Sequence, residues 1–302
     1  MGADSLPEGI VPTAGLDVAA ISVARERAVR RSHVLRQLRR SPTFLVGSAL
    51  LLFWVFMALV GQYVTPIGPF EIDPYNTLSS PSLTHWFGTD DLGRDVFART
   101  MAGARPVLII APLATLLALV GGAAVALVAG YYRGVVDEVT MRLVDVFLSL
   151  PVVIAAIFVL SLLGSSIPVV ILVIALLFIP VVSRTVRAAV LGERDKEYVQ
   201  AARLRGERPS YIMTAEILPN TLSPIIVEGT VRLGYAVFTA ATISFLGFGL
   251  EPPSPDWGLT IAQERAFIQV AWWTVVFPAL ALASLVVAAN LVADGLRRAF
   301  QG

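Results

Sequence analysis

The chain has no cysteine, which excludes disulfides, thiolate metal sites and a cysteine nucleophile. Histidine occurs twice, as His33 in an arginine-rich stretch and His85 in a loop, too sparse for a histidine metal site or a Ser-His-Asp triad, and no metal is expected. Lysine occurs once, as Lys196, and Glu197 follows it. A phosphate-cradling Gly-x-x-x-x-Gly-Lys-Ser/Thr loop is therefore missing, so the chain is not itself a P-loop ATPase and no catalytic residue is assigned. Charge is scarce as well: 15% of residues are charged, 56% are hydrophobic and the mean hydropathy is +0.75. A soluble domain could not wet such a surface, so the chain belongs in a bilayer. A formal net charge of +1 names no partner, and no nucleic acid is expected.

The apolar residues fall into six runs of roughly the length that crosses a hydrocarbon core, about 20 residues each. They lie near 44–64, 107–131, 144–163, 167–188, 222–249 and 271–293. The first follows a polar stretch ending in Arg39-Arg40 and lacks a small-residue cleavage pattern, so it reads as a retained anchor. Of the 23 basic residues, Arg94, Arg99, Arg105 and Arg265 fall on one side of this arrangement, Arg232 falls inside a span, and the other 18 share the opposite side. Positive charge accumulates on the cytoplasmic side, which places both termini and the 190–221 loop there. The resulting division is a basic cytoplasmic segment over 1–43, a first span over 44–64, an outer cap over 65–106, and a core over 107–302 with five further spans. Residues 19–38 suit a basic helix on anionic lipid, with disorder the expectation for the first fifteen or so. Spans three and four, joined through Gly164, Ser165 and Ser166, are expected to form an antiparallel hairpin.

One polar segment interrupts this pattern. Glu197-Tyr-Val-Gln-Ala-Ala202-Arg-Leu-Arg-Gly206, continuing to Glu216-Ile-Leu-Pro219, reads as two short helices with a hinge. Asp195 can cap the first, Ala201 and Ala202 favour helix on one side of it, and Gly206 suits a left-handed stop. Pro209 fits a first helical turn, and Pro219 is where the second helix must stop or kink.

The spacing of Glu197, Ala201, Ala202, Gly206, Leu218 and Pro219 resembles the Glu-Ala-Ala loop of bacterial ABC importer permeases, specifically the C-type permease of the dipeptide, oligopeptide and nickel group. Two more blocks agree: His85-Trp86-Phe87-Gly88-Thr89-Asp90-Asp91-Leu92-Gly93-Arg94-Asp95-Val96, and Ser244-Phe245-Leu246-Gly247-Phe248-Gly249 followed by Pro252, Pro253, Trp257 and Gly258. The resemblance implies an all-α membrane subunit of the type I importer kind, with six spans and cytoplasmic termini, in a bacterial plasma membrane. It implies that the loop is a coupling helix seated on an ATP-hydrolysing subunit. Further implied partners are a second, B-type permease chain, two ATP-binding subunits that hold the ATP and magnesium, an extracytoplasmic substrate-binding protein and membrane lipid. This chain itself would bind no cofactor. Glu216 departs from the family, where histidine or an apolar residue is usual. Trp86, Gly88, Asp90, Asp91, Gly93, Arg94 and Asp95 are expected at the outer gate or binding-protein contact. The implied cargo is a di- or oligopeptide, with nickel chelate, haem and glutathione as alternatives.

Glu228 and Arg232 stand four apart within the fifth span, glutamate first, the order that lets a helix pair its own charges. Two readings stand: a lining of the transport pathway, or a self-satisfied pair near the cytoplasmic end. Glycines 121, 122 and 130, and Gly247 and Gly249, are placed for close helix approach. An ion-coupled transporter would need midplane carboxylates and matching broken helices in two halves. Only Glu228 qualifies, and a membrane enzyme would need a polar cluster that the sequence does not offer.

Overall fold

The structure, a computed structural model, describes residues 36–301. The expectations for His33, the first fifteen residues and most of the 19–38 helix lie outside the described residues. Among the described residues the chain is helical and turn-rich without a strand, and a single antiparallel bridge joins Thr89 to Asp95.

α1 (Pro42–Val64) starts at Ser41, whose hydroxyl accepts the Phe44 N–H at 3.4 Å, with Pro42 in the first helical turn, where its missing N–H costs nothing. A turn-rich segment leads to the short α2 (Val96–Ala102), and α3 (Ala104–Tyr132) follows at once. Next come α4 (Gly134–Leu148), α5 (Val152–Leu163), α6 (Ile167–Arg194) and α7 (Glu197–Leu204). A helical turn over Pro209–Tyr211 and a π-helical turn over Ile212–Ile217 open into α8 (Leu218–Phe245). α9 (Trp257–Glu264) and α10 (Trp273–Gln301) complete the chain.

Among the described residues, four stretches are long and apolar enough to cross a membrane: Pro42–Gly61, Val96–Tyr132, Ile167–Arg194 and Trp273–Ala299. The pair α4 and α5 makes a fifth if counted as one bent span. α8 has the same 28 residues as α6, but Glu228, Arg232 and its threonines and glycines lower its hydropathy, so it does not join them by composition. The span expected over 144–163 is not one straight helix, because α4 and α5 meet at 84°. Pro151 is the physical cause: its ring disfavours helical geometry at Leu150, and it has no N–H to continue the ladder. α5 and α6 pack as the expected hairpin.

α3 lies along α6 more extensively than any other helix pair. A Cβ at Gly122 would sit 2.5 Å from Val182 Cγ1, and one at Gly130 would sit 2.6 Å from Val190 Cγ1, so bare backbone is what lets the two axes close up. α8 crosses both, and α10 packs between α8 and α1, where Trp54 Nε1 donates to Ser284 Oγ at 2.8 Å. Gly247 and Gly249, expected inside the fifth span, lie beyond the end of α8 at Phe245. α4 is tied to α6 by charge: Arg187 Nε donates to Asp137 Oδ1 at 2.5 Å, and Arg184 pairs with Asp145. Arg142 pairs with Glu138 one turn away on its own helix.

Among the described residues, most irregular chain collects at two ends, the break at Ser149–Pro151 apart. One end gathers residues 65–95 and 246–272; the other gathers residues 36–41, the α3–α4 corner and the 195–217 loop. Replacement of Gly122 by leucine forces atoms into the Val182 contact and is expected to cost about 1–3 kcal/mol. Thermal unfolding of the purified protein in detergent should show a clear fall in Tm. Gly192→Ala, where a Cβ meets nothing within 4 Å, should leave Tm unchanged or slightly raised.

Candidate functional site

At the loop end, α7 stands as a short rod fixed at both of its ends. Behind it, Glu193 accepts from Lys196 Nζ at 2.6 Å and from the Tyr198 hydroxyl at 2.7 Å, which with burial raises the Tyr198 pKa. Asp195 does not cap the helix as expected. Its carboxylate turns to Arg133 at 2.6 Å, and Lys196 holds the cap position without a side-chain bond. Ahead of the rod, Gly206 has φ +75°, its N–H donates to Arg203 O at 3.0 Å, and Glu207 N–H donates to Ala202 O at 3.2 Å. These two bonds are the signature of a helix ended by a left-handed residue, a conformation a side chain resists.

Pro209 begins the next helical turn as expected, but Pro219 stops nothing. Over Ile212–Ile217 the chain widens, so that Leu218 N–H reaches Met213 O five residues back, and the extra room takes the proline ring without a break. The second arm is thus the root of α8 and not a separate short helix.

Burial sorts the loop residues. Val199, Ala202, Ile212 and Ile217 are buried and anchor the loop to the bundle. Glu197, Ala201, Leu204, Gly206 and Pro219 are exposed, with Glu216 and Leu218 half-covered. Ala201 and Ala202, expected on one side, separate into an exposed and a buried position, as neighbours about 100° apart on a helix can. Glu216 closes the hinge through Arg205, with Nη2 and Oε1 3.4 Å apart. Leu204 is a residue the sequence reading passed over: it is 89% exposed and shares the outward face with Glu197 and Ala201, at positions i, i+4 and i+7. An isolated leucine among arginines was the available signal.

At the opposite end, the Trp86 to Asp95 block folds back on itself. Asp90 Oδ1 accepts the N–H groups of Leu92 at 3.0 Å and Arg94 at 2.8 Å, while its Oδ2 takes Arg94 Nε at 2.6 Å. Asp95 caps α2 through Ala98 N–H at 2.7 Å and holds His85 Nδ1 at 2.9 Å. A Cβ on Gly93 would lie 1.8 Å from Asp73 O, and the Gly88 turn sits beneath Trp273, whose indole N–H donates to Thr89 O at 3.2 Å. Trp86 remains exposed; Gly88, Asp90, Gly93, Arg94 and Asp95 are buried and engaged internally.

Arg99 and Glu264 complete this clasp; the sequence placed Arg99 on the outer side and did not mark Glu264. The buried Arg99 guanidinium donates to Pro69 O at 3.4 Å and Ser254 O at 3.2 Å and lies 3.5 Å from Asp90. Glu264 is fully buried, with both carboxyl oxygens lacking a hydrogen-bond donor, and one oxygen each of Asp90, Asp91 and Glu264 falls within 4.8 Å of the others. Burial first, then the adjoining Asp91 and Asp90 carboxylates, push Glu264 up to about 8, with Arg94 opposing.

Inside α8, Arg232 Nε meets Glu228 Oε1 at 2.6 Å, and the guanidinium lies 5.0 Å over the Tyr235 ring. Glu228 stands ten residues into the helix, about 15 Å along its axis, buried and satisfied by its own turn.

Residues 122–302 match the family described as the binding-protein-dependent transport system inner membrane component, and residues 31–81 match the N-terminal transmembrane domain of oligopeptide transport permease C. The chain belongs to this permease family. It is 38% identical to a dipeptide transport system permease protein of Alkalihalophilus pseudofirmus over 87% of each chain. A probable peptide ABC transporter permease of Sinorhizobium fredii is 40% identical over 88% of this chain and 91% of its own. A glutathione transport system permease protein of Pectobacterium atrosepticum is 35% identical, over 93% and 95% respectively. The resemblance drawn from the Glu-Ala-Ala loop and the two flanking blocks is therefore correct, and the chain is a multi-helix membrane permease.

In this permease the clasp carries a pH dependence of fixed sign. Glu264 has an ordinary value of 4.5 and a folded value of about 8, so the folded clasp holds a proton that the opened clasp releases between those limits. Its contribution is full below 4.5, declines as pH rises, and is gone above about 8. Hydrogen exchange over residues 88–95 and 257–267, corrected for intrinsic rates, should lose protection by at most about tenfold per pH unit in that window, and Glu264→Gln should flatten the profile. A wild-type profile already flat from pH 5 to 8 would contradict the shared proton.

Proposed function

We propose that this permease forms one half of the translocation pathway of an ATP-driven importer of di- or oligopeptides, and that α7 and the Gly206 turn are the surface on which a separate ATP-hydrolysing subunit docks. The supporting observation is the exposed Leu204 on the Glu197 and Ala201 face of a rod whose other face is locked into the bundle. A lone apolar side chain ringed by charge is what an anchor residue of a docking surface looks like before its pocket arrives. Motion of the rod would be felt by α6 through Glu193 and by α8 through the root that begins at Pro209.

In this reading α8 crosses the membrane beside the other five spans, its charge cost met by the Glu228–Arg232 pair, and both termini face the cytoplasm. The complex contains a B-type permease chain, two ATP-binding subunits holding ATP and magnesium, and an extracytoplasmic binding protein that meets the cap near Trp86. Peptide cargo rests on the dipeptide and peptide permeases among the relatives. Glutathione, itself a short peptide, is the second reading, favoured by the Pectobacterium relative.

Two experiments test this. Leu204→Glu should weaken ATPase-subunit binding by about 2 kcal/mol or more, and Gly206→Val should strain the left-handed turn by about 1–2 kcal/mol. Both variants should insert in the membrane yet lose co-purifying ATPase subunits and peptide uptake; normal assembly and uptake in both would reject the docking surface. Because the chain has no cysteine, single replacements report topology directly. Leu204→Cys should react with a membrane-impermeant thiol reagent only after the cell is opened. Tyr75→Cys, at a position 96% exposed at the other end, should react in intact spheroplasts, and the reverse pattern would invert the arrangement.

A further inference from the structure

A cavity of about 550 Å³ opens where the chain enters α1 and where α10 ends, at the same end of the bundle as α7. Arg36, Arg40 and Arg298 line it together with Gln37, Ser41 and Gly295, and among the described residues no carboxylate does. Among the described residues, none of these three guanidinium groups has an acidic partner within 4.0 Å. Three like charges around one hollow repel each other unless an anion sits between them.

The position of the hollow fixes what kind of anion. The apolar stretch Pro42–Gly61 begins at its edge, and the apolar stretch Trp273–Ala299 ends there. A Cβ at Gly295 would lie 2.7 Å from Phe44 Cβ, so the hollow is floored by the junction of two membrane-spanning helices. Its mouth is therefore at the height of the phospholipid headgroups, with acyl-chain space beside exposed Leu45 and Val46. Arginine forks match the paired oxygens of a phosphodiester. Gln37 adds a neutral polar side chain to the same lining.

We propose that this cavity is a binding site for an anionic phospholipid such as phosphatidylglycerol. The phosphodiester lies among Arg36, Arg40 and Arg298, and the acyl chains run along the outer face of α1. The lipid joins the start of α1 to the end of α10.

The test is native mass spectrometry of the intact transporter complex, titrated with phosphatidylglycerol or phosphatidylcholine of identical chains. The wild type should retain phosphatidylglycerol at least tenfold better than phosphatidylcholine, and Arg36→Gln/Arg40→Gln/Arg298→Gln should reduce that preference to threefold or less. Removing the same kind of charge beside the hollow, in Arg39→Gln/Arg297→Gln, should leave the preference intact; an equal loss there would mean diffuse surface charge and overturn the site. Arg298→Gln alone, on the helix surface, covers the case in which the triple variant does not assemble, and it should lower the preference at least threefold. Millimolar inorganic phosphate or glycerol 3-phosphate should fail to displace the lipid. Displacement by either, with the same arginine dependence, would reassign the hollow to a soluble phosphate and reject the lipid. Equal retention of the two lipids by the wild type would end the proposal.

Discussion

Hydrocarbon offers no partner to an unpaired peptide group, and that single constraint decides where this permease can be irregular. Its long helices run without a gap through the apolar zone, even across Pro112 in α3, Pro180 in α6 and Pro224 in α8. Turns, caps and short helices are driven to the two ends, except at the Ser149–Pro151 break, where Ser149 N–H still reaches Asp145 O and Ala155 N–H reaches Pro151 O. The bundle between them is held by close backbone approach at Gly122 and Gly130, where there is little side chain to rearrange. A packed interface of that kind passes displacement as rigid movement rather than absorbing it. Whatever the two ends do, they are joined by α3, α6 and α8 acting as bodies.

The ends are built on opposite electrostatic principles. The clasp buries its charges: Asp90, Arg94 and Arg99 are all within the protein, so each holds its partners through a weakly screening medium, and the buried Glu264 beside them keeps a proton. Removing one member leaves another buried and unpaired, which costs about 3–5 kcal/mol where such pairs have been broken. The loop end leaves its charges wet. Arg205 is half-exposed beside Glu216, and a pair of that kind contributes about 0–1 kcal/mol. One end is shaped to keep its form, and the other to exchange its contacts when a partner arrives. At Glu216 this has a concrete meaning: the carboxylate is a light tether across the Gly206 hinge, which the proposed docking would release at little cost.

Which parts could be read in the sequence follows from how local their causes are. Apolar runs mark the spans because each is a property of its own residues, and Gly206 marks its turn because the left-handed cap is decided within six residues. The 84° bend escaped because Ser149-Leu150-Pro151 sits within an apolar run whose total length satisfies the bilayer, so length overruled the proline. Pro219 misled in the other direction. A lone proline signals a stop, but six residues of widened helix before it absorb the ring, and nothing in that local composition announces the widening. The burial of Arg99 and Glu264 was unreadable for a different reason. Their burial depends on residues 69, 90, 91 and 254 arriving from separate segments, and only the folded cap brings those together.

The position of the π turn gives the proposed coupling its mechanical logic. α7 is bound to the end of α6 by Glu193 and to the corner of α3 by the Arg133–Asp195 pair and by Arg203 lying 5.0 Å over Tyr131. It reaches α8 through the Gly206 hinge, the widened turn and Tyr198, whose hydroxyl lies near Asn220. In the proposed coupling, a force applied at Leu204 reaches α3 and α6 directly and reaches α8 partly through the π turn. The two sides would then not move equally: α3 and α6 follow the rod, while α8 lags by what the π turn takes up. A pathway bounded by α8 needs such unequal movement, because helices displaced together would carry their gap along without opening it.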